Sequence, residues 1–128
     1  MGDGSSDKRL NLLIVDDSVL MRALVRRAAS LSNVPLGTVY EACNGEEALR
    51  LLETASIDAV FTDLNMPVMS GFELLEVIGR DERWRSLLRV VISAGTSAAP
   101  GADSLGSTRF VEKPFRPEAI RDALASLL

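Results

Sequence analysis

Short apolar runs alternate along the chain with segments of helical periodicity. The runs lie at residues 10–15, 39–42, 59–61, 90–92 and, more weakly, 110–111. Apolar runs this short predict strands that are buried on both faces, as in a parallel sheet covered by helices on each side. The alternation therefore predicts an α/β layer fold with a five-stranded sheet and right-handed crossover connections.

The segments between the runs carry helix signals. The first segment repeats apolar residues at helical spacing, which predicts an apolar helix face formed by Leu20, Leu24, Ala28 and Leu31. Each later helix has a start signal: Asn44 with Glu47 for a helix to Thr54, Ser70 with Glu73 as a capping box, and Pro117 in a first turn.

Two stretches depart from this pattern. Residues 94–108 hold three glycines, three serines and one proline, with Leu105 as the sole large apolar side chain. We expect a loop with at most one or two helical turns there, so that the helix between the fourth and fifth strands is short or disordered. Residues 1–9 have the composition of a flexible tail, which leaves one domain over residues 10–128.

Residue counts exclude several kinds of chemistry. The chain has no histidine and a single cysteine, Cys43. Catalytic triads, imidazole bases, histidine-ligated metals and internal disulfides are therefore ruled out. The net charge of −4 argues against nucleic-acid and membrane-surface binding, and no apolar run is long enough to span a membrane. We expect a cytoplasmic protein.

Polar side chains follow four of the predicted strands at their carboxyl ends: Asp16 and Asp17, Asp63, Ser93, and Lys113. Ligands of open α/β sheets bind outside this edge. Three neighbouring carboxylates repel one another, and a hard divalent cation such as Mg²⁺, or alternatively Mn²⁺, would relieve that repulsion. With the cation and Lys113 the formal charges sum to zero, which suits an incoming phosphoryl group that a carboxylate can attack.

These residues resemble the receiver domains of two-component response regulators, in particular the chemotaxis type. The resemblance covers residues 10–128, and its matching segments are Asp16-Asp17-Ser18 with Met21-Arg22, Asp63-Leu64-Asn65-Met66-Pro67 with Ser70-Gly71, Ser93-Ala94, and Phe110 with Lys113-Pro114-Phe115. It implies a flavodoxin-like parallel sheet of order 2-1-3-4-5 with helices on both faces.

The resemblance also implies roles for the residues of the site. Asp63 is the phosphoacceptor. Asp17, Asp63 and the backbone carbonyl of Asn65 hold Mg²⁺ directly, with Asp16 acting through a water on the metal. Lys113 pairs with the phosphoryl oxygens.

A second set of roles concerns the switch. Ser93 and Ala94 meet the phosphoryl group, and the rotamer of Phe110 changes with them; a phenylalanine there lacks the hydroxyl of the commoner tyrosine. The Lys113–Pro114 bond is a candidate cis peptide. Asn65 and Gly95 occupy positions that influence the rate of dephosphorylation.

The function implied is that of a stand-alone, single-domain response regulator. A histidine kinase or phosphotransfer protein would phosphorylate Asp63, and the domain would hydrolyse its own acyl phosphate and catalyse nothing else. Output would pass through contact with a downstream protein target that the sequence does not identify. We expect a monomer, with a phosphorylation-dependent dimer as the alternative. We also expect residues 94–107 to be mobile without phosphorylation and to order on phosphorylation or on partner binding.

Simpler interpretations stay open for each feature. The Asp16-Asp17 pair also suits a helix cap, Asp63 a turn, Ser93 a backbone-satisfied hydroxyl, and Phe110 and Trp84 plain packing. Seven arginines suit solvated helix and loop charges or, alternatively, a docking surface for an acidic partner: Arg22, Arg26, Arg27, Arg80, Arg83, Arg85 and Arg89. Two other functions are a phosphorylation-independent interaction module and a small aspartyl-phosphate phosphohydrolase, although Asn65 cannot serve as that enzyme's acid/base.

Overall fold

A five-stranded parallel sheet forms the centre of the molecule. The computed structural model describes residues 8–94 and 108–128. Its strands are β1 (Leu10–Val15), β2 (Leu36–Ala42), β3 (Ala59–Thr62), β4 (Leu88–Ala94) and β5 (Arg109–Lys113). They pair in parallel in the order β2-β1-β3-β4-β5. The predicted flavodoxin-like topology is confirmed, and β2 begins three residues before the predicted run.

Four α-helices connect or follow the strands in the described part of the chain: α1 (Val19–Ser30), α2 (Gly45–Thr54), α3 (Gly71–Arg80) and α4 (Pro117–Ala125), with a 3₁₀ turn at Glu82–Trp84. Their predicted start signals are present. The Asn44 side chain accepts from the Glu47 N–H, Ser70 and Glu73 form a capping box, and Pro117 occupies the first helical position. The Asn44 and Ser70 caps satisfy N–H groups that α2 and α3 themselves leave unpaired, whereas α4 has no side-chain cap.

Each face of the sheet has its own apolar core, which explains why the strand runs are apolar without alternation. Leu12 and Ile14 of β1 point to the side covered by α1 and α4, where Ile120 and Leu124 are fully buried. Leu13 and Val15 of β1 point to the side covered by α2 and α3. Trp84 lies in this second core, as its packing interpretation predicted.

Of the predicted apolar face of α1, only Ala28 is buried against the sheet. Leu20, Leu24 and Leu31 are 69%, 43% and 58% exposed, whereas Val25 and Ala28-Ala29 are buried against the sheet. The helix carries two apolar stripes, and the smaller side chains face the sheet because they allow the close approach that helix–sheet packing requires. The larger side chains are left at the surface.

Several expectations fall on residues outside the described ranges. They concern residues 1–7 of the predicted tail, the short or disordered helix between β4 and β5, and Gly95. Within residues 8–94 and 108–128, none of the helices has the length and apolar character needed to cross a bilayer.

Candidate functional site

The polar residues predicted at the strand ends converge at one edge of the sheet. Asp16 and Asp17 follow β1, Asp63 follows β3, and Lys113 is the last residue of β5. Val15 pairs with Thr62, and the Asp63 N–H donates to the Val15 carbonyl at 3.1 Å, which sets the aspartates side by side. One carboxylate oxygen from each of the three aspartates lies within 4.8 Å of the other two.

Asp63 is 9% exposed, and its two carboxylate oxygens have different surroundings. Oδ1 accepts from the backbone N–H groups of Leu64 at 2.7 Å and Asn65 at 3.4 Å. Oδ2 lies 3.5 Å from the Nζ of Lys113. The backbone thus fixes one oxygen of the carboxylate and leaves the other beside the ammonium group.

The main chain of Asp63 is packed closely from behind. The buried Thr62 hydroxyl donates to the Asp63 carbonyl at 2.8 Å. Gly71, which begins α3, donates its N–H to the Leu64 carbonyl at 3.0 Å. A Cβ atom at Gly71 would overlap the carbonyl oxygen of Asp63, so glycine is the residue that permits this contact.

Asp16 is buried and held at its backbone and side chain. Its N–H donates to the Ala42 carbonyl at 3.1 Å, and its Oδ1 accepts from the Ser18 N–H at 2.9 Å. Burial raises the pKa of the Asp16 carboxyl, although the bond from Ser18 and the charge of Lys113 oppose that shift. The neighbouring Asp17 is exposed. The pair therefore offers one enclosed and one open carboxylate.

This donor set fits a hard divalent cation. Three carboxylates bring three negative charges into a small volume, where oxygen ligands are the type that Mg²⁺ prefers. Lys113 lies within 3.6 Å of two of them and offsets only part of that charge. Asn65, whose backbone carbonyl the resemblance assigns to the metal, lies exposed two residues beyond Asp63.

The predicted switch residues lie at the same edge or next to it. Ser93 and Ala94 end β4 and pair with Glu112 and Lys113. Phe110 is partly buried against the core on the α2 and α3 side. The Lys113–Pro114 peptide bond is cis, as the resemblance implied.

Sequence analysis missed one contact to the site. Arg22, interpreted above as a solvated or partner-docking charge, donates from Nη1 to the Asp16 carbonyl at 2.6 Å. Its Nε bonds to Glu41 Oε1 at 2.9 Å. The signal was its position in the first turn of the helix that follows the two aspartates, from which a long side chain can reach back to their backbone.

Comparison with known proteins places these features in a family. The family model described as response regulator receiver domain matches residues 12–125. A chemotaxis protein CheY1 of Helicobacter pylori is 31% identical over 93% of this chain and 97% of its own length. A CheY homolog of Campylobacter jejuni is 30% identical over 93% of this chain and 92% of its own.

Solved structures agree with this assignment. The chemotaxis response regulator CheY4 of Vibrio cholerae superposes with a TM-score of 0.76 at 28% identity, covering 94% of this chain and all of the other. A response regulator receiver protein from Pseudomonas putida gives a TM-score of 0.78 at 28% identity, covering 93% of this chain and 98% of the other.

Proposed function

This chain belongs to the response regulator receiver domain family, and we propose that it is a signalling switch that takes up a phosphoryl group on Asp63. One observation carries the proposal. The buried Asp63 carboxylate, two further carboxylates and the ammonium group of Lys113 meet at a single sheet edge. That is the combination of nucleophile, candidate metal ligands and fixed positive charge that phosphoryl transfer requires.

Asp63 is the nucleophile. Its carboxylate oxygen forms a new bond to phosphorus as the nitrogen–phosphorus bond of a donor phosphohistidine breaks. The leaving imidazole keeps the electron pair of that bond and takes up a proton from solvent. Because Asp63 Oδ1 is engaged by backbone N–H groups, Oδ2, beside Lys113, is the oxygen available for the attack.

Lys113 and the acidic residues divide the electrostatic work. The Lys113 ammonium group neutralises charge on the phosphoryl oxygens as they arrive beside Asp63. Asp17, Asp63 and the Asn65 carbonyl would hold Mg²⁺, with Asp16 in support. When bound, the cation supplies the positive charge that offsets the negative charge of the transferred group.

The surface beside the site suits a protein donor. Val19 and Leu20 begin α1 after Ser18, and with Leu24 and the C-cap residue Leu31 they are exposed apolar side chains, called here the α1 apolar surface. A donor that delivers a phosphoryl group to Asp63 must rest on the surface next to the site. We infer that a histidine kinase or phosphotransfer protein covers this surface with apolar side chains around its phosphohistidine.

Signal output and decay complete the proposal. Ser93, at the end of β4, moves towards the phosphoryl oxygens and shifts a two-state equilibrium that a protein partner reads. Attack of water on the acyl phosphate releases inorganic phosphate and restores the Asp63 carboxylate. The domain thereby acts on its own phosphoryl group alone.

The proposal is tested by incubating the protein with acetyl phosphate and Mg²⁺ and measuring its intact mass. We expect the gain of one phosphoryl group, lost in EDTA and in Asp63→Asn. The control Asp122→Asn, which alters an exposed acid on α4, keeps the gain. Absence of any gain would falsify the assignment of Asp63, and multiple-turnover release of phosphate from diverse esters would favour a phosphohydrolase.

The donor surface is tested separately. Leu20→Glu is expected to slow transfer from a phosphorylated phosphotransfer protein and to leave uptake from acetyl phosphate unchanged, because the small donor needs no docking surface. Equal rates of protein-to-protein transfer for Leu20→Glu and the wild type would contradict the assigned surface.

A further inference from the structure

Arg22 bonds to the backbone of the acidic turn, which we define as Asp16 and Asp17. It lies in the first turn of α1, and its side chain folds back so that Nη1 donates to the Asp16 carbonyl at 2.6 Å. This side chain is only 15% exposed. A short bond from a guanidinium group in such a position is charge-assisted and stronger than a bond between neutral groups.

Glu41 holds Arg22 in place from the neighbouring strand. One of its carboxylate oxygens accepts from Arg22 Nε at 2.9 Å, and the other accepts from Arg26 Nε at the same distance. Glu41 lies in β2 and pairs with Ile14 of β1. The bonds of Arg22 therefore join three elements: the start of α1, the edge strand β2 and the end of β1.

The bond to Asp16 constrains the carboxylate of Asp17. The Asp16 carbonyl belongs to the peptide unit that leads into Asp17, and the Asp16 N–H, in the preceding peptide unit, is held by the Ala42 carbonyl. With both units held, the backbone angles at Asp16 are fixed, and so is the direction in which the chain enters Asp17. Asp17 itself is exposed, so packing against its side chain does little to set its direction.

We propose that Arg22 is a positioning residue, which orients the acidic turn so that its carboxylates face Asp63 before a cation arrives. This inference rests on the proposed function, because it concerns the affinity of the same site for Mg²⁺. Arg22 touches neither the cation nor the phosphoryl group. Its effect is on how strongly the cation binds, and the rate of transfer once the cation is bound is unaffected.

The charge of Arg22 determines how the test is designed. Removing one positive charge near the site strengthens cation binding by Coulomb attraction and opposes the effect of a looser turn. The double variant Arg22→Met/Glu41→Gln removes both members of the ion pair and leaves the net charge unchanged. The matched control is Arg50→Met/Glu46→Gln, which removes an exposed ion pair on α2.

Three measurements are made on each protein. Calorimetric titration with Mg²⁺ gives the dissociation constant, which we expect to rise about tenfold in Arg22→Met/Glu41→Gln and to stay unchanged in the control. Amide exchange of Ser18, whose N–H is held by Asp16 Oδ1, is measured by NMR in EDTA and should become faster. The phosphorylation rate with acetyl phosphate at saturating Mg²⁺ should equal that of the wild type.

The outcomes separate this inference from the proposed function. Unchanged exchange at Ser18, or unchanged Mg²⁺ affinity in a series whose wild type binds Mg²⁺, overturns the role of Arg22. A slower reaction at saturating Mg²⁺ also overturns it, since a residue that only positions the turn would not alter that rate. Failure of the wild type to bind Mg²⁺ contradicts the proposed function instead, and Ser18 exchange then decides the positioning role alone.

Discussion

The Nζ atom of Lys113 lies between two buried carboxylates, 3.5 Å from Asp63 Oδ2 and 3.6 Å from Asp16 Oδ2. These distances join the end of β5 to the ends of β1 and β3. At this separation the ammonium group attracts both carboxylates while leaving space between the charged groups. Lys113 is therefore placed to stabilise a newly arrived anion as well as the two aspartates.

Replacing Lys113 by methionine should slow phosphoryl uptake from acetyl phosphate about a hundredfold, because the positive charge beside Asp63 Oδ2 is lost. Mg²⁺ should bind more tightly, since one repelling charge is removed. Uptake is followed by intact mass and binding by calorimetry. The control is Arg85→Met, which removes an exposed charge at the end of the sheet opposite the site. A Lys113→Met uptake rate close to the wild-type rate would contradict the role of Lys113.

Replacing Asp16 by asparagine should stabilise the protein in EDTA by about 1 kcal/mol. The amide keeps an oxygen for the Ser18 N–H, and it removes a buried negative charge that lies next to two others. Mg²⁺ should reverse the order, because the wild type gains more from cation binding. Urea denaturation with EDTA and with Mg²⁺ measures both effects, and lower stability of Asp16→Asn in EDTA would contradict the expectation.

Replacing Gly71 by alanine should destabilise the fold by about 1–3 kcal/mol, because the added methyl group overlaps the carbonyl oxygen of Asp63. Gly79→Ala in the same helix is the matched control. Its methyl group would meet the Arg89 side chain at an ordinary 3.7 Å, so the higher helix propensity of alanine should leave the protein equally or more stable. Urea denaturation compares Gly71→Ala with Gly79→Ala. Equal stabilities would show that the backbone at Asp63 shifts to accommodate the methyl group at little cost, which would contradict the expectation.

The stabilising effect of Glu41 should depend on pH. Burial acts to raise the pKa of the Glu41 carboxyl, but hydrogen bonds from Arg22 and Arg26 outweigh it, and the pKa lies below the ordinary 4.5. The stabilisation is therefore fully present above pH 4.5 and is lost as the pH falls through the lower value of the folded protein.

We accordingly expect Glu41→Gln to lower the free energy of unfolding by about 1 kcal/mol at pH 7. The gap should narrow as the pH falls below 4.5, because the Glu41 carboxylate of the unfolded chain takes up its proton before that of the folded protein. Urea denaturation at pH 7 and at a pH below 4.5 measures the difference in unfolding free energy between Glu41→Gln and the wild type. Glu46→Gln, in the exposed ion pair of α2, is the control. A difference in unfolding free energy that stays constant below pH 4.5 would contradict the lowered pKa of Glu41.

Alanine substitutions on α1 should separate its two apolar stripes. Val25→Ala removes buried methyl groups and should cost about 1–2 kcal/mol of stability. Leu20→Ala, at a side chain that is largely exposed, should change stability by less than about 0.5 kcal/mol. A larger loss for Leu20→Ala in urea denaturation would restore the helix face that the leucine spacing predicted.

The sheet and the main site residues were predictable because parallel strands have a fixed direction. Once the family resemblance placed residues 10–15 and 59–61 in neighbouring strands, Asp16 and Asp63 had to meet at one edge. The buried stripe of α1 was not predictable in the same way. The leucines of this segment and its buried valine and alanines both recur at helical spacing. Which of the two sets faces the sheet depends on the space between the helix and the sheet, which the sequence does not show.

The contact from Arg22 shows a second limit of sequence reasoning. Its position in the chain determines which backbone atoms the side chain can reach, but whether it folds back depends on Glu41, which is 19 residues away. That partner became visible only through the pairing of β2 with β1.

Under the proposed function, the burial of Asp63 limits what a downstream partner can recognise. With 9% of the residue exposed at the end of a central strand, a phosphoryl group attached there would add little to the surface that a downstream partner contacts. A downstream partner would therefore recognise the shape of the surrounding surface and not the phosphoryl group on Asp63. A substitution elsewhere that gives the surrounding surface the same shape would then allow partner binding without phosphorylation of Asp63.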